Sequence, residues 1–135
     1  MKNQDIRWIQ RFQNFEKTFL LLQETVQIKS PSVAERAGLI QFFEMTFELA
    51  WKLLKDYEEE EGFVVKSPRD AIKQAFQANI ITEGHTWIDA LTDRNLTTLI
   101  YHEKTAIEVE EKIRNKYFPI LEILYIDFKS KVEKE

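Results

Sequence analysis

Residues 32–62 read SVAERAGLIQFFEMTFELAWKLLKDYEEEEG, and they contain the strongest helical pattern of the chain. Its apolar residues recur every three or four positions, which predicts one long amphipathic helix. One stripe contains Leu39, Phe43, Thr46, Ala50, Leu53 and Tyr57, and a second contains Ile40, Phe47, Trp51 and Leu54. Because two neighbouring stripes are apolar, we expect this helix to be central and contacted on two sides.

Both ends of this helix carry recognisable signals. Ser32 and Glu35 have the spacing of a capping box, which starts a helix. Gly62 follows the acidic run 58–61 and is predicted to be the left-handed C-terminal cap. Four carboxylates at a helix C-terminus oppose the helix dipole, so we expect this last turn to fray.

The rest of the chain is predicted to form helices with short connections. A first helix should run from about Asp5 to Ile28, ahead of the break at Ser30-Pro31-Ser32. Its stripe contains Phe12, Phe15, Phe19, Leu22 and Val26. Ser67-Pro68 has the pattern of an N-cap followed by proline at the first helical position, and this predicts the start of a third helix.

A fourth helix should begin at 82–84 and carry Trp87. The spacing of apolar residues in this helix leaves two alternatives open. The helix continues to Arg114, or it breaks near 101–103, where polar residues cluster. The last helix carries Phe118, Leu121, Tyr125, Phe128 and Val132, with Pro119 in its first turn. Together these elements predict an all-α, antiparallel up-and-down bundle of four to five helices. We expect a single domain over residues 1–135, with its core at about 5–132.

Composition excludes several classes of protein. Gly and Pro number only 3 each, which disfavours turn-rich β folds, and with 0 Cys the chain has no disulfide, thiolate metal site or cysteine nucleophile. The formal net charge of −4 gives no simple electrostatic case for nucleic acid. The N-terminus lacks a secretory apolar region and no run is long enough to span a membrane, so we expect no membrane association and a cytoplasmic location.

Metal and phosphate-loop chemistry have little support in the sequence. Only His85 and His102 are histidines, and neither lies in a pattern typical of helical metal sites. Glu44 and Glu48 share a helix face, but pairing of Glu48 with Lys52 is the stronger interpretation. We therefore expect no metal site in this chain.

The segment 93–102, DRNLTTLIYH, is the candidate site. If it is helical, Arg94, Thr98 and Tyr101 lie on one face, with Asn95 beside them. Such a polar stripe would hold a phosphate or nucleotide, or it would form a hydrogen-bonded network between helices. The residues alone favour the network.

Several motifs resemble those of nucleotidyltransferase substrate-binding proteins, within the wider HEPN superfamily of helical bundles. They are QFFEMTFELAWKLLK at 41–55, SPRD at 67–70, Trp87, DRNLT at 93–97 and Tyr101. The resemblance implies a homodimer that associates with a minimal nucleotidyltransferase, commonly as a toxin–antitoxin pair. It also implies that this chain binds no cofactor, while the partner needs ATP, or another nucleoside triphosphate, and a divalent metal.

Active HEPN ribonucleases carry an Arg-x4–6-His motif, often extended as Arg-x4-His-x-Tyr. Its histidine acts as acid and base and its arginine stabilises phosphate charge, without a metal. Here Arg94 and Tyr101 match that motif, but Leu99 occupies the histidine position. On a continuous helix His102 would lie about 12 Å along the axis from Arg94, against about 7.5 Å for the expected histidine. A break in the helix, or a dimer partner, would be needed for His102 to substitute.

The sequence therefore favours a non-catalytic subunit that binds a nucleotidyltransferase and a nucleotide-bearing substrate. Arg94 and Asn95 would contact phosphate or ribose, with Thr98 on the same face, and Tyr101 would accept AMP from the partner. The alternative is a metal-independent endoribonuclease, with RNA as substrate, that uses Arg94 and His102. A third hypothesis is a bundle retained only for assembly.

Overall fold

The computed structural model describes residues 5–94 and 102–135. The helices are α1 (Asp5–Thr25), α2 (Val33–Glu60), α3 (Pro68–Gln77), α4 (Gly84–Arg94), α5 (Glu103–Lys112) and α6 (Phe118–Glu133). A π-helical turn, Ile113–Tyr117, joins α5 to α6 without leaving the helical conformation. The described residues thus form five helical rods and contain no β-strand. The prediction of an all-α bundle is confirmed.

Ion pairs show that α1 and α2 are antiparallel. Arg7 contacts Glu59 at 3.4 Å, and Arg11, one turn later in α1, donates to Asp56 at 2.8 Å, one turn earlier in α2. Helix α2 also packs against α3, α4, α5 and α6. The prediction that it is the central helix is confirmed.

Aromatic contacts show the same antiparallel relation between α1 and α6. Trp8 packs edge-on against Phe128 with ring centroids 5.8 Å apart, and Phe19 stacks on Phe118 at 5.4 Å. Between these contacts, Tyr125 stacks on Phe19 at 4.6 Å. The apolar stripes predicted for the first and last helices therefore face each other.

The two ends of α2 are closed by their own residues. The Ser32 side chain accepts from the Glu35 amide at 3.1 Å, and the Glu35 carboxylate accepts from the Ser32 amide at 2.8 Å, which confirms the capping box. At the other end Gly62 has φ +98°, and the Phe63 amide donates to the Glu58 carbonyl at 3.0 Å. This is a Schellman closure. The predicted left-handed cap at Gly62 is confirmed, and these bonds satisfy the carbonyls of Glu58 and Glu59. The expected fraying of the turn stays a prediction.

Helix α1 ends earlier than its apolar pattern predicts. The sequence suggests a helix to Ile28, but the helix ends at Thr25. The Arg114 guanidinium donates to the carbonyls of Val26 and Ile28, the latter at 2.8 Å. An arginine from the α5–α6 rod thus binds two carbonyls in the turn between α1 and α2.

Pro119 lies just after the π-helical turn rather than at the start of a separate helix. Proline lacks an N–H, and in an α-helix its ring clashes with the carbonyl four residues earlier. Here the Phe118 amide donates to the Ile113 carbonyl, five residues earlier. The wider turn admits Pro119 without ending the rod, so the predicted last helix continues from α5.

The core contains most of the large rings. Fully buried side chains include Phe15, Phe19, Phe43, Phe47, Trp87, Tyr117 and Phe128. Among the residues that the structure describes, Phe63 and Phe76 are the exposed aromatic side chains, and the exposed apolar residues of α1 and α6 are aliphatic. The bundle therefore buries or partly buries its other described aromatic side chains. Across its described part, no helix combines the length and apolar character needed to cross a bilayer.

Candidate functional site

Arg94 is the last residue of α4 and is bound to the central helix. Its Nη1 atom donates to Oε1 of Glu48 at 2.5 Å. The same carboxylate accepts from Trp51 Nε1 at 3.2 Å and pairs with Lys52 Nζ at 3.2 Å. The predicted Glu48–Lys52 pair is thus confirmed, and Glu48 also fixes the orientation of the candidate arginine.

The charge on Glu48 is maintained by these donors. Partial burial acts to raise its pKa, but the hydrogen bonds from Trp51 and Lys52 and the charge of Arg94 outweigh it and lower the pKa of Glu48. The carboxylate is therefore ionised at neutral pH. An ionised carboxylate and a guanidinium form a strong charge-assisted hydrogen bond.

Asp93, the residue before Arg94, is buried and binds the α5–α6 rod. Tyr117 in the π-helical turn donates its phenolic hydrogen to Asp93 Oδ2, and Lys112 Nζ lies 3.3 Å from the same oxygen. Burial and the hydrogen bond to Asp93 raise the pKa of Tyr117 well above its usual range. The phenol keeps its proton and acts as a donor, so it ties α4 to the rod.

The segment that contains the remaining candidates begins after these two anchors. Asn95, Thr98, Leu99 and Tyr101 lie outside the described residues. The chain is described again from His102, which is exposed and precedes α5 with φ −90° and ψ 113°. This extended backbone decides between the two alternatives left open by the sequence: the chain breaks near 101–103, and α4 and α5 are not one continuous helix.

The described site residues thus comprise an anchored arginine at the end of α4 and a histidine at the start of α5. A guanidinium fixed by a carboxylate is suited to binding phosphate, since it presents N–H donors in a rigid planar group. Within 5–94 and 102–135, no group of three His, Asp or Glu side chains is arranged to hold a metal ion.

Two long-range contacts of this arrangement leave no signal in the sequence. The bond between Arg94 and Glu48 joins residues 46 positions apart, and the Tyr117–Asp93 bond joins residues 24 apart. The spacing of apolar residues along the chain does not indicate which residues far apart in sequence will be in contact. Asp93 stands in the quoted DRNLT motif, and its place beside Arg94 was the one available signal for a structural role.

Comparison with known proteins adds an independent observation. The family model described as nucleotidyltransferase substrate binding protein like matches residues 10–130. A crystal structure of a protein from Thermus thermophilus is similar to this chain, with 30% sequence identity and a TM-score of 0.74. The similarity covers 87% of this chain and 98% of that chain. No curated protein matches the sequence.

Proposed function

Because the chain belongs to the nucleotidyltransferase substrate-binding-like family, we propose that it is the non-catalytic partner subunit of a minimal nucleotidyltransferase. The family name implies such a partner. The observation that supports this role most directly is Arg94, which Glu48 holds at the end of α4 immediately before residues 95–101. An oriented guanidinium at this position would bind the phosphate of a nucleotide that the partner delivers.

In this proposal Tyr101 accepts the nucleotide, while Arg94, Asn95 and Thr98 contact its phosphate or ribose. The phenolic oxygen attacks the α-phosphorus of ATP, the bond from that phosphorus to the bridging oxygen breaks, and pyrophosphate leaves. The phenolic proton passes to a base in the partner. A phenol has an unperturbed pKa of about 10, so the partner's divalent metal or base must activate it.

We expect the mass of the chain to rise by one adenylate group when it is incubated with its nucleotidyltransferase, ATP and Mg²⁺. Intact-mass spectrometry measures this directly. Tyr101→Phe should remove the addition, because no phenolic oxygen remains at that position. Tyr125→Phe is a matched control on α6, and it should be modified like the unaltered chain. An unchanged mass in the complete mixture, or equal modification of Tyr101→Phe, would refute the acceptor role.

The pair would act as a toxin–antitoxin module, with nucleotide transfer as the step that silences this chain. That hypothesis needs an activity to be silenced, and the endoribonuclease is the second candidate. One observation favours it: the backbone at His102 is extended, so α4 and α5 are not one continuous helix, and that is the condition under which His102 could approach Arg94. Against it, Leu99 has no group that can transfer a proton.

We expect the unmodified chain to cleave RNA negligibly, because the histidine position of the motif is Leu99. Leu99→His should raise cleavage if the remaining groups are in place. A fluorescent RNA substrate in EDTA measures metal-independent cleavage by both proteins. Robust cleavage by the unmodified chain that is lost in Arg94→Ala and in His102→Ala would instead establish the endoribonuclease.

We also propose that the chain forms a homodimer. The exposed apolar side chains Leu20 and Leu21 on α1 and Ile126 on α6, which are 44%, 42% and 62% exposed, support this. Burying such residues against a second copy would remove apolar surface from water. Light scattering at micromolar concentration should give twice the mass of one chain, and the mass of a single chain across that range would count decisively against the dimer.

A further inference from the structure

A cavity of about 430 Å³ lies between the end of α2, the turn before α4, and α6. Its apolar wall includes Ile80, Ile81, Trp87, Ile120 and Leu124. It is separate from the site at Arg94, since Trp87 and Arg94 are seven residues apart in α4, or about 10.5 Å along the axis. Volumes of this size are typical of small-molecule sites.

One residue of this cavity is chemically unusual. Glu58 is 0% exposed, and neither of its carboxyl oxygens has a hydrogen-bond partner among the residues that the structure describes. Burial of a polar group without a partner costs free energy. The other buried acids have partners: Asp56 binds Arg11, Asp93 binds Tyr117, and Glu110 binds Arg36. Among the described residues, Glu58 is therefore the buried acid without a hydrogen-bond donor, and a ligand could supply one.

The charged groups around the cavity indicate the sign of the charge that the ligand would carry. Besides Glu58, the lining includes the carboxyl groups of Glu61, Glu83 and Asp127. Lys131 is the cation of the lining, and its Nζ atom lies 3.8 Å from Asp127. The excess of carboxyl groups favours a positive ligand, and the apolar wall favours one with an aliphatic stem.

We propose that this cavity binds a small organic cation, an amine or guanidine on an aliphatic stem, whose charged head pairs with Glu58. Because the Glu58 oxygens are closed off from the cavity as well as from solvent, its side chain would turn toward the cavity on binding, and the head would then donate hydrogen bonds to the two oxygens that lack partners. The stem would lie along Ile80, Ile81 and Leu124, and the outer carboxyl groups would attract the cation to the opening.

Such binding would release a proton. Burial, reinforced by the charge of Glu59, raises the pKa of Glu58 to about 8, so its carboxyl is mostly protonated at pH 7. The other titratable groups here are Tyr57 and Glu61 on α2, Glu83 before α4, and Asp127 and Lys131 on α6. A cation favours the ionised carboxylate. Binding at pH 7 should therefore expel nearly one proton per site.

Isothermal titration calorimetry of the full chain tests the site. Agmatine and spermidine are the cationic probes, and N-butylurea is a neutral analogue of a guanidine on an aliphatic stem. Titrations at pH 7 in phosphate and in Tris separate the heat of proton release, because the two buffers have different ionisation enthalpies. We expect at least one cation to bind with a buffer-dependent heat and N-butylurea to bind far more weakly.

Variants of Glu58 test whether the cation binds to this carboxyl group. Glu58→Gln keeps the shape but removes the charge, so it should weaken cation binding by roughly tenfold or more and abolish the buffer dependence. Glu58→Met should do the same, and circular dichroism checks that both variants are folded. Glu24→Gln, a change on α1 away from the cavity, should bind like the unaltered chain. No binding of either cation at millimolar concentration, equal binding by Glu58→Gln, or equal binding of N-butylurea would overturn the proposal.

Discussion

Replacement of Glu110 by alanine should lower the free energy of unfolding by about 3–5 kcal/mol, because it leaves two partly buried guanidinium groups without their shared carboxylate. Oε1 of Glu110 accepts from Arg36 Nε at 2.7 Å, and Oε2 accepts from Arg114 Nε at 2.7 Å. The Glu110 side chain is only 11% exposed. Small domains have a total stability of about 5–15 kcal/mol, so this single change removes a large share of it.

The loss should extend beyond the ion pairs. Arg114 also donates to the carbonyls of Val26 and Ile28, and Glu110 holds that guanidinium in place. Without Glu110, the end of α1 and its connection to α2 lose a fixed contact with the α5–α6 rod. Urea unfolding, followed by circular dichroism, measures the change in free energy.

Glu111→Ala is the matched control for this prediction. It removes an exposed carboxylate from the adjacent position of α5, and exposed substitutions usually change stability by about 0.5 kcal/mol or less. If Glu110→Ala destabilises the protein no more than Glu111→Ala does, the three-residue network contributes little.

The pKa of Glu110 adds a pH dependence with a definite sign. Burial acts to raise this pKa, but the hydrogen bonds and charges of Arg36 and Arg114 prevail and lower it. A carboxyl whose pKa is lower in the folded state contributes stability above the pKa of the unfolded chain. That contribution is lost as the pH falls below about 4.5, through the folded-state value.

Glu58 should give the opposite pH dependence. Its pKa in the folded state is raised from 4.5 to about 8, chiefly by burial. Between these values the unfolded chain has released the proton while the folded chain still holds it, so stability falls as the pH rises. The slope is at most about 1.4 kcal/mol per pH unit, and the loss levels off above the folded-state pKa.

Glu58→Gln should remove this slope, since glutamine does not titrate. Urea unfolding of ligand-free protein at pH 5, 6, 7 and 8 gives the comparison, with Glu61→Gln as a matched control from the same acidic run. We expect the difference in stability between Glu58→Gln and the unaltered chain to grow steadily with pH. Parallel profiles for the two proteins would mean that Glu58 is ionised in the folded state.

Local signals in the sequence predicted the helices well because their causes are local. The Ser32–Glu35 box, the Ser67 cap and the left-handed Gly62 each involve residues only a few positions apart. Partners that lie far apart in the chain leave no such signal. The anchoring of Arg94 by Glu48 was therefore missed, although both residues stand in the quoted motifs.

The acidic run 58–61 shows a second limit of prediction from sequence. Its four carboxyl groups look equivalent, and the helix dipole argument treats them alike. In the structure Glu58 is fully buried, whereas Glu61 is exposed. The difference depends on which side of α2 faces α6 and the turn before α4, and only the packed bundle sets that. Of the candidate site, Arg94 and His102 lie within the described residues, and Asn95, Thr98 and Tyr101 remain sequence predictions.

The π-helical turn at 113–117 determines where the α5–α6 rod can gain or lose a residue within this fold. Such a turn holds one residue more than a regular helix accommodates, and each residue of an α-helix advances by about 100° around the axis. Deletion of one residue here would close the wide turn to a regular α-helical turn, so the Phe128 stripe of α6 would still face Trp8 and α5 would stay in register with α2. A deletion within the regular part of α6 would instead rotate every later residue by about 100°. A relative that lacks the extra residue would therefore need no compensating change further along α6, and an alignment gap at 113–117 would mark the loss of the π-helical turn within an otherwise unchanged bundle.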